Sequence, residues 1–238
     1  MNDTDRELLL SEFNTNLNEV VKLSFPVRDR ELQLEVANSS AEYLETLGAR
    51  LEAVREGNAP DLSNFVLGLF NYMKAAIRLL HMWLAIRSDD PDEGWNALVD
   101  AQAFARQAMR AHDILLDQIE DFNRHLLHLE KTLFPPQQFV SMSFTVEESK
   151  CSICDDAFHE CDHITGLPYN GQFCTQVVTK AGPMEHTAIV THPFDKGCRL
   201  TSYSEDGFDV DTMTLVKTPS EDGDKSSRRF KAIGIRGI

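Results

Sequence analysis

The chain is poor in basic charge. Its 238 residues contain 23 lysines and arginines against 38 aspartates and glutamates, a formal net charge of −15 at pH 7. Nucleic-acid binding takes much of its affinity from basic side chains that contact phosphates. We therefore expect no general affinity for nucleic acid. The short basic group Lys225, Arg228, Arg229 and Lys231 near the C-terminus is expected to be solvated chain.

The sequence also lacks a long uncharged apolar run. The first ten residues, MNDTDRELLL, do not combine a basic segment with an apolar stretch and do not resemble a secretory signal. The most apolar segment, residues 65–86, is interrupted by Lys74, Arg78 and His81, which a membrane-spanning helix would carry at high cost. These absences predict a cytoplasmic protein without a membrane span.

Cysteine is scarce and odd in number. The chain has five cysteines, and four of them lie between residues 151 and 174. An odd count in a cytoplasmic protein favours metal binding or free thiols over a framework of disulfides. Cys198 stands apart from the other four and is expected to be an ordinary cysteine in a strand.

Residues 1–136 have the apolar spacing of helices. Apolar side chains recur there at steps of three and four residues, the pattern of a buried helix face. Pro60 and Pro91 suit the first turns of two helices, and Pro135 with Pro136 ends the last one. A last helix from Pro91 to Phe134 would be about 60 Å long at 1.5 Å per residue. We therefore expect it to break or kink.

From Gln137 onward the pattern changes to strands. Residues 139–146 alternate between apolar and polar side chains, and short β-branched runs follow at intervals up to Lys217. The sequence thus predicts an α+β protein with a helical bundle at residues 1–136, a zinc-containing β-rich domain at 137–217 and a polar, basic tail at 218–238. Within that tail, residues 230–238 either dock as a final strand or fray.

The third helix is apolar on almost every side. Together with residues 95–109, the segment 65–86 carries more apolar width than a small bundle normally buries. Two interpretations stay open at this point. The helix forms the core of a four-helix domain, or it offers a surface for self-association or for a protein partner.

The cysteines and histidines of the stretch CSICDDAFHECDHITGLPYNGQFC indicate a metal site. Thiolates and imidazoles are the preferred ligands of zinc, and a C-x2-C pair presents two sulfurs to one ion. We predict a Zn²⁺ site made by four of five side chains: Cys151, Cys154, Cys161, His163 and Cys174. Cys174 competes for the last position because a turn at residues 169–171 would swing it inward. Four protein ligands make a closed, structural site.

The same region resembles a known module. The run VSMSFTVEESKCSICDDAFHECDHITGLPYNGQFC and the later MEHTAIVTHPFDKGCRL are similar to a segment of tailed-phage prohead (capsid-maturation) protease-like proteins, over about residues 139–201. The resemblance implies a small β-barrel with the Cys/His stretch as an insertion. Active members of that family are serine proteases with a catalytic histidine. Thr187 stands at the nucleophile position here, and the helical chain before residue 139 offers no matching histidine, which argues against peptidase activity.

Arg106 and His112 form a second catalytic hypothesis. An arginine followed at this spacing by a histidine resembles the R-x4-6-H element of HEPN-type ribonucleases, which are helical bundles. On an unbroken helix, however, side chains six residues apart point about 240° away from each other. We therefore expect a non-enzymatic interaction or assembly protein of bacterial or phage origin, which binds a partner or itself through the helical domain. The alternative is a hydrolase, either a degenerate prohead-protease-like peptidase or a HEPN-like ribonuclease.

Overall fold

The computed structural model describes residues 3–220 and 229–233. This part of the chain contains five α-helices followed by a β-rich region, which confirms the predicted α+β class. None of the helices it describes is both long enough and apolar enough to cross a membrane. The helices are α1 (Asp3–Leu23), α2 (Arg30–Glu56), α3 (Pro60–Ile86), α4 (Pro91–Ala111) and α5 (Leu116–Leu133).

Polar caps and prolines set the helix boundaries. The Asp29 carboxylate accepts the amides of residues 31 and 32 at the start of α2. Asp90 accepts the amide of Glu93 at 3.0 Å and so caps α4. The break expected in the last helix lies at His112, whose backbone is extended and whose Nδ1 accepts the amide of Ile114. This break separates α4 from α5.

The core of the bundle is built around α3. Eighteen of its 27 residues are buried, among them the fully buried Leu69, Met73 and Leu80. Helix α4 faces α3 with a stripe of fully buried alanines, and their short side chains permit a close approach. The alanines are Ala97, Ala101, Ala105 and Ala108. The apolar side chains of α3 are therefore buried inside the bundle, so α3 itself exposes no broad apolar surface.

The described residues form eight strands. They are β1 (Phe139–Cys151), β2 (Pro168–Tyr169), β3 (Gln172–Phe173), β4 (Gln176–Val190), β5 (Leu200–Glu205), β6 (Phe208–Asp211), β7 (Lys217–Pro219) and β8 (Phe230–Ala232). These strands make three sheets: a long two-stranded sheet of β1 and β4, a short hairpin of β2 and β3, and a four-stranded sheet with the order β7-β6-β5-β8.

Part of the predicted C-terminal tail belongs to the four-stranded sheet. β7 pairs antiparallel with β6, and β8 pairs antiparallel with β5. Two alternatives were open for residues 230–238, a docked strand or a frayed end, and over residues 230–232 the structure contains the docked strand. The remainder of the tail, residues 221–228 and 234–238, lies outside the described residues, and with it Lys225 and Arg228.

The chain divides into two compact units. One comprises Met1–His128 and Glu148–Thr179, and the other comprises Leu129–Glu147 and Lys180–Ile238. This division differs from the predicted boundary at residue 136, which assigned the Cys/His stretch to the β-rich domain. The reason is a set of hydrogen bonds that hold residues 170–172 against α2 and α3. We call residues 148–179 the Cys/His module.

Replacement of Leu69 by alanine tests the position of the core. Leu69 is fully buried in α3, so the change is expected to lower the free energy of unfolding by about 2–5 kcal/mol. The matched control is Leu127→Ala, because Leu127 on α5 is 38 % exposed and should cost much less. Urea unfolding followed by far-UV circular dichroism measures both. Equal costs for the two variants would contradict the central place of α3.

Candidate metal centre

The first cysteine pair sits on a tight turn at the end of β1. The Cys151 amide donates to the Asp156 carbonyl, and the Asp155 amide donates back to the Cys151 carbonyl, each at 2.9 Å. Asp155 closes the turn with a positive φ of 61°. The Ile153 amide then points at the Cys151 sulfur, 3.4 Å away. An amide aimed at a sulfur stabilises its thiolate, the form that binds metals.

Four of the predicted ligands meet at one place. One ligand atom each from Cys151, Cys154, Cys161 and His163 lies within 4.8 Å of the other three, and this group could hold a metal ion. Cys161 follows a short 3-10 turn at Phe158–Glu160 and has extended backbone angles. In extended chain, residues two apart point to the same side, which brings Cys161 and His163 together.

Cys174 is a fourth thiol beside this group and the fifth candidate ligand. Its sulfur lies 3.7 Å from the Cys151 sulfur, and its side chain is fully buried. Zn–S bonds of about 2.3 Å in a tetrahedron would separate two sulfurs by about 3.8 Å. The turn that was expected to swing Cys174 inward is present at Asn170-Gly171, between β2 and β3. Cys174 therefore stays a candidate for the fourth position beside His163.

His163 has the environment of a ligand. Its Nδ1 is buried and has no hydrogen-bond partner among the residues that the structure describes, which is costly for a polar atom unless another group satisfies it. The ring packs edge-on against Tyr169, with 4.6 Å between ring centroids. The Tyr169 hydroxyl in turn accepts the Ile164 amide at 3.0 Å. A metal ion would satisfy the buried nitrogen, so the residues present fit a metal.

The thiols do not ionise independently of one another. Burial acts to raise the pKa of Cys151, but hydrogen bonds from the amides of Cys154 and Ile153 and from neighbouring thiols outweigh it and lower that pKa to about 6. Burial and the Cys151 sulfur raise the pKa of Cys174 to about 11. The Asp156 amide acts to lower the pKa of Cys154, but burial, the Asp156 side chain and the Cys151 sulfur raise it to about 11. One negative charge thus keeps its neighbours protonated, and only a cation would let several ionise together.

The turn between β2 and β3 fastens the module to the helices. The Asn170 side chain donates to the Arg55 carbonyl at 3.1 Å and accepts from the Ser63 hydroxyl at 2.9 Å. The Gly171 amide donates to the Asn64 side chain at 2.9 Å. Arg55 also donates to the side chain of Gln172 at 2.9 Å. These bonds bind the module to the end of α2 and the start of α3.

Thr187 has no catalytic surroundings in the described chain. It lies exposed in β4, and its hydroxyl donates to the Met184 sulfur at 3.8 Å. A hydroxyl becomes an effective nucleophile when a base within hydrogen-bond reach takes its proton. No side chain that the structure describes hydrogen-bonds to Thr187 as such a base.

His112 serves the fold, and Arg106 lies on the helix surface. Both nitrogens of His112 are engaged, since Nδ1 accepts the Ile114 amide and Nε2 lies 3.4 Å from Asp61. The ring also packs edge-on against Phe65. Arg106 is exposed on α4, before the break at His112. This arrangement leaves neither nitrogen of His112 open for proton transfer.

Cys198 stays outside the cluster. It lies just before β5, and its sulfur donates to the Asp195 carboxylate at 3.6 Å. This cysteine therefore provides a natural control for substitutions in the cluster.

Comparison of the chain with protein-family models, with curated proteins and with solved structures found no match. The resemblance to prohead-protease-like proteins therefore stays a prediction from the residues.

Replacement of Gly171 by alanine tests the docking turn. Gly171 has a φ of +77°, and an added Cβ would lie 2.9 Å from Leu51 and from Arg55. We expect a loss of about 1–3 kcal/mol in the free energy of unfolding. Gly48→Ala is the control. Gly48 lies inside α2, and a Cβ added there would lie 3.5 Å from the Phe70 ring, an ordinary contact. This change should be neutral or stabilising. Denaturant titration that finds the two variants equally stable would contradict the docking.

Metal affinity is expected to fall as the pH is lowered, because protons compete with the metal for the thiols. Cys154 and Cys174, each with a pKa of about 11, must release a proton to the solvent already at neutral pH, and Cys151 adds a further proton below its pKa of about 6, so the fall is steepest on the acid side of pH 6. The lowered pKa also stabilises the metal-free fold at high pH, and this contribution is lost as the pH falls through 6. Competition with a chromogenic chelator at a series of pH values measures the affinity. An affinity that does not change with pH would rule out thiolate ligands.

Proposed function

We propose that the chain is a non-enzymatic interaction or assembly protein of bacterial or phage origin, in which a structural Zn²⁺ ion holds the Cys/His module. The observation that carries this proposal is the lack of an apolar core in that module. Only Cys151, Gly171 and Cys174 are buried among residues 148–179. Metal-binding free energy can replace a core of this kind.

Zinc fits the donor set better than other common metals. Three or four sulfurs with at most one imidazole are soft ligands, and Mg²⁺ or Ca²⁺ would require oxygen ligands instead. Iron–sulfur clusters also use four thiolates, but the imidazole in this group is more usual for zinc. When bound, the ion would supply the positive charge that lets several thiols ionise together. It would be held by Cys151, Cys154 and Cys161 with His163 or Cys174.

A structural role agrees with the number of ligands. Catalytic zinc sites normally keep one coordination position for water or substrate, with three protein ligands. Here at least four protein side chains are available at one place, and a fifth stands beside them. The module would therefore present a shaped surface and keep the ion closed to substrate.

The hydrolase alternatives have weaker support. The peptidase hypothesis needs a base beside Thr187, and the ribonuclease hypothesis needs a free nitrogen on His112. Neither is part of the arrangement described above. The proposal keeps a cytoplasmic location, where thiols stay reduced, and a protein partner or self-association. Because α3 is buried, the partner surface on the helical domain would have to be formed by other helices.

Zinc analysis after replacement of single cysteines tests the proposal. Purified protein is expected to contain about one zinc per chain, and Cys154→Ser should lose it together with the fold of the module. Cys198→Ser is the matched control and should keep full zinc content. Inductively coupled plasma mass spectrometry measures the metal, and limited proteolysis measures the fold of residues 148–179. A wild-type protein that folds fully without metal would refute the proposal.

A further inference from the structure

The Cys/His module contains one thiol more than a zinc site that uses His163 requires. Structural zinc takes four ligands in a tetrahedron. Cys151, Cys154, Cys161 and His163 supply one ligand atom each, and these four atoms lie within 4.8 Å of one another. Cys174 is not one of this group, although its sulfur lies 3.7 Å from the Cys151 sulfur. The arrangement leaves Cys174 as a thiol in contact with a candidate metal ligand.

Backbone hydrogen bonds hold Cys174 beside Cys151 without help from a metal. The Ser152 amide donates to the Thr175 carbonyl at 3.1 Å, and the Thr175 amide donates to the Ser152 hydroxyl at 2.9 Å. The Cys174 amide donates to the Leu167 carbonyl at 2.9 Å. The residues that follow the two cysteines are thus bonded to each other, which fixes the positions from which both thiols project.

The segment that carries Cys161 and His163 is held differently. Within the described chain, none of residues 161–163 takes part in a backbone–backbone hydrogen bond. The His163 ring packs on Tyr169, and the next residue, Ile164, donates its amide to the Tyr169 hydroxyl. The position of this segment therefore depends more on a bound ion than the position of the Cys151–Cys174 pair does.

We propose that hydrogen peroxide joins Cys151 and Cys174 in a reversible disulfide, and that this disulfide expels the zinc ion. The inference rests on the proposed function, because it takes the structural Zn²⁺ site as the reduced form. Zinc binds the thiolate of a cysteine, so Cys151 does not bind zinc in this way while its sulfur is bonded to another sulfur. The metal-bound state and the disulfide state therefore exclude each other.

The oxidation begins at Cys154, since Cys151 and Cys174 are buried and Cys154 is partly exposed. The Cys154 sulfur attacks one peroxide oxygen, the O–O bond breaks, and a sulfenic acid and one water form. The Cys151 sulfur, within 4.8 Å, attacks the Cys154 sulfur and displaces a second water. Cys174 then attacks the Cys151 sulfur, and Cys154 leaves as a thiol. In total, two thiols lose two electrons and two protons, and hydrogen peroxide takes them up to form two waters.

The disulfide changes two parts of the module in opposite ways. It joins the end of β1 to the residue after β3, so the hairpin of β2 and β3 keeps its place. Residues 155–165 lie between the joined cysteines, and they lose the ion that holds Cys161 and His163. The oxidised protein is therefore expected to expose residues 155–165 to proteases while its docking turn stays on the helices.

Cleavage at Phe158 distinguishes this disulfide from other products of oxidation. Zinc-loaded wild-type protein is treated with hydrogen peroxide, and a chromogenic chelator measures the zinc that is released. About one zinc per chain is expected to leave, and chymotrypsin should then cut after Phe158. Because this cut lies between Cys151 and Cys174, the two fragments should stay joined on a non-reducing gel and separate after addition of dithiothreitol. Peptide mass spectrometry identifies the joined cysteines, and the reduced protein should bind zinc again.

Cys174→Ala is the test variant, and Cys198→Ala is the matched control. Under reducing conditions both variants are expected to keep full zinc content, because His163 completes the site. After peroxide and chymotrypsin, the Cys174→Ala fragments should separate without dithiothreitol, since a disulfide between Cys151 and Cys154 lies within one fragment. Cys198→Ala should behave like wild type, because its sulfur lies outside the cluster.

Three outcomes would overturn the proposed disulfide. These are wild-type fragments that separate without a reductant, Cys174→Ala fragments that stay joined, and a folded Cys174→Ala variant that lacks zinc before oxidation, which would make Cys174 a zinc ligand. Circular dichroism checks folding, and the wild-type result decides alone if the variant does not fold. Zinc-loaded protein that forms no such disulfide leaves the proposed function standing. Wild-type protein without zinc under reducing conditions would instead refute the proposed function.

Discussion

Several thiols gathered at one place cannot all carry a negative charge without a cation, and this constraint governs the Cys/His module. The Cys151 sulfur ionises first, because backbone amides point at it, and its charge keeps Cys154 and Cys174 protonated. The same module buries almost no apolar side chain of its own. A chain segment with so little apolar core depends for its stability on the group that binds its clustered polar side chains.

The Cys/His module connects the thiol cluster to the helices. His163 packs on Tyr169, and the next residues along the chain, Asn170 and Gly171, hydrogen-bond to the end of α2 and the start of α3. The candidate ligand His163 and the docking turn are thus separated by one aromatic contact. We infer that a metal ion which orders the ligand loop also orders the α2–α3 connection. An ion bound there would belong to the helical unit, which includes residues 148–179, rather than to the β-rich unit.

Much of this organisation could be predicted from local patterns, and the rest depended on contacts between distant residues. Helix spacing, the prolines at helix starts and the C-x2-C pair each act over a few residues, so the sequence predicts the helices, the strands and the cysteine cluster. The bonds from Asn170 and Gln172 to the helices connect residues more than 100 positions apart. No local pattern in the sequence predicts these hydrogen bonds. The predicted boundary at residue 136 therefore differs from the division of the chain into its two compact units. The Asn170-Gly171 pair is the one local signal in the sequence, since such pairs favour a turn, and both residues have a positive φ in the structure.

Hydrogen-exchange mass spectrometry of the full chain, with zinc and after its removal by a chelator, is the most direct test of the coupling between the metal centre and the helices. Removal of the metal is expected to increase exchange in residues 151–174 and also in the α2–α3 connection near residues 55–64. Exchange in the middle of α3 should change little, because its core packing does not involve the module. Increased exchange confined to residues 151–174, with the α2–α3 connection unaffected, would contradict the coupling of the metal centre to the helical bundle.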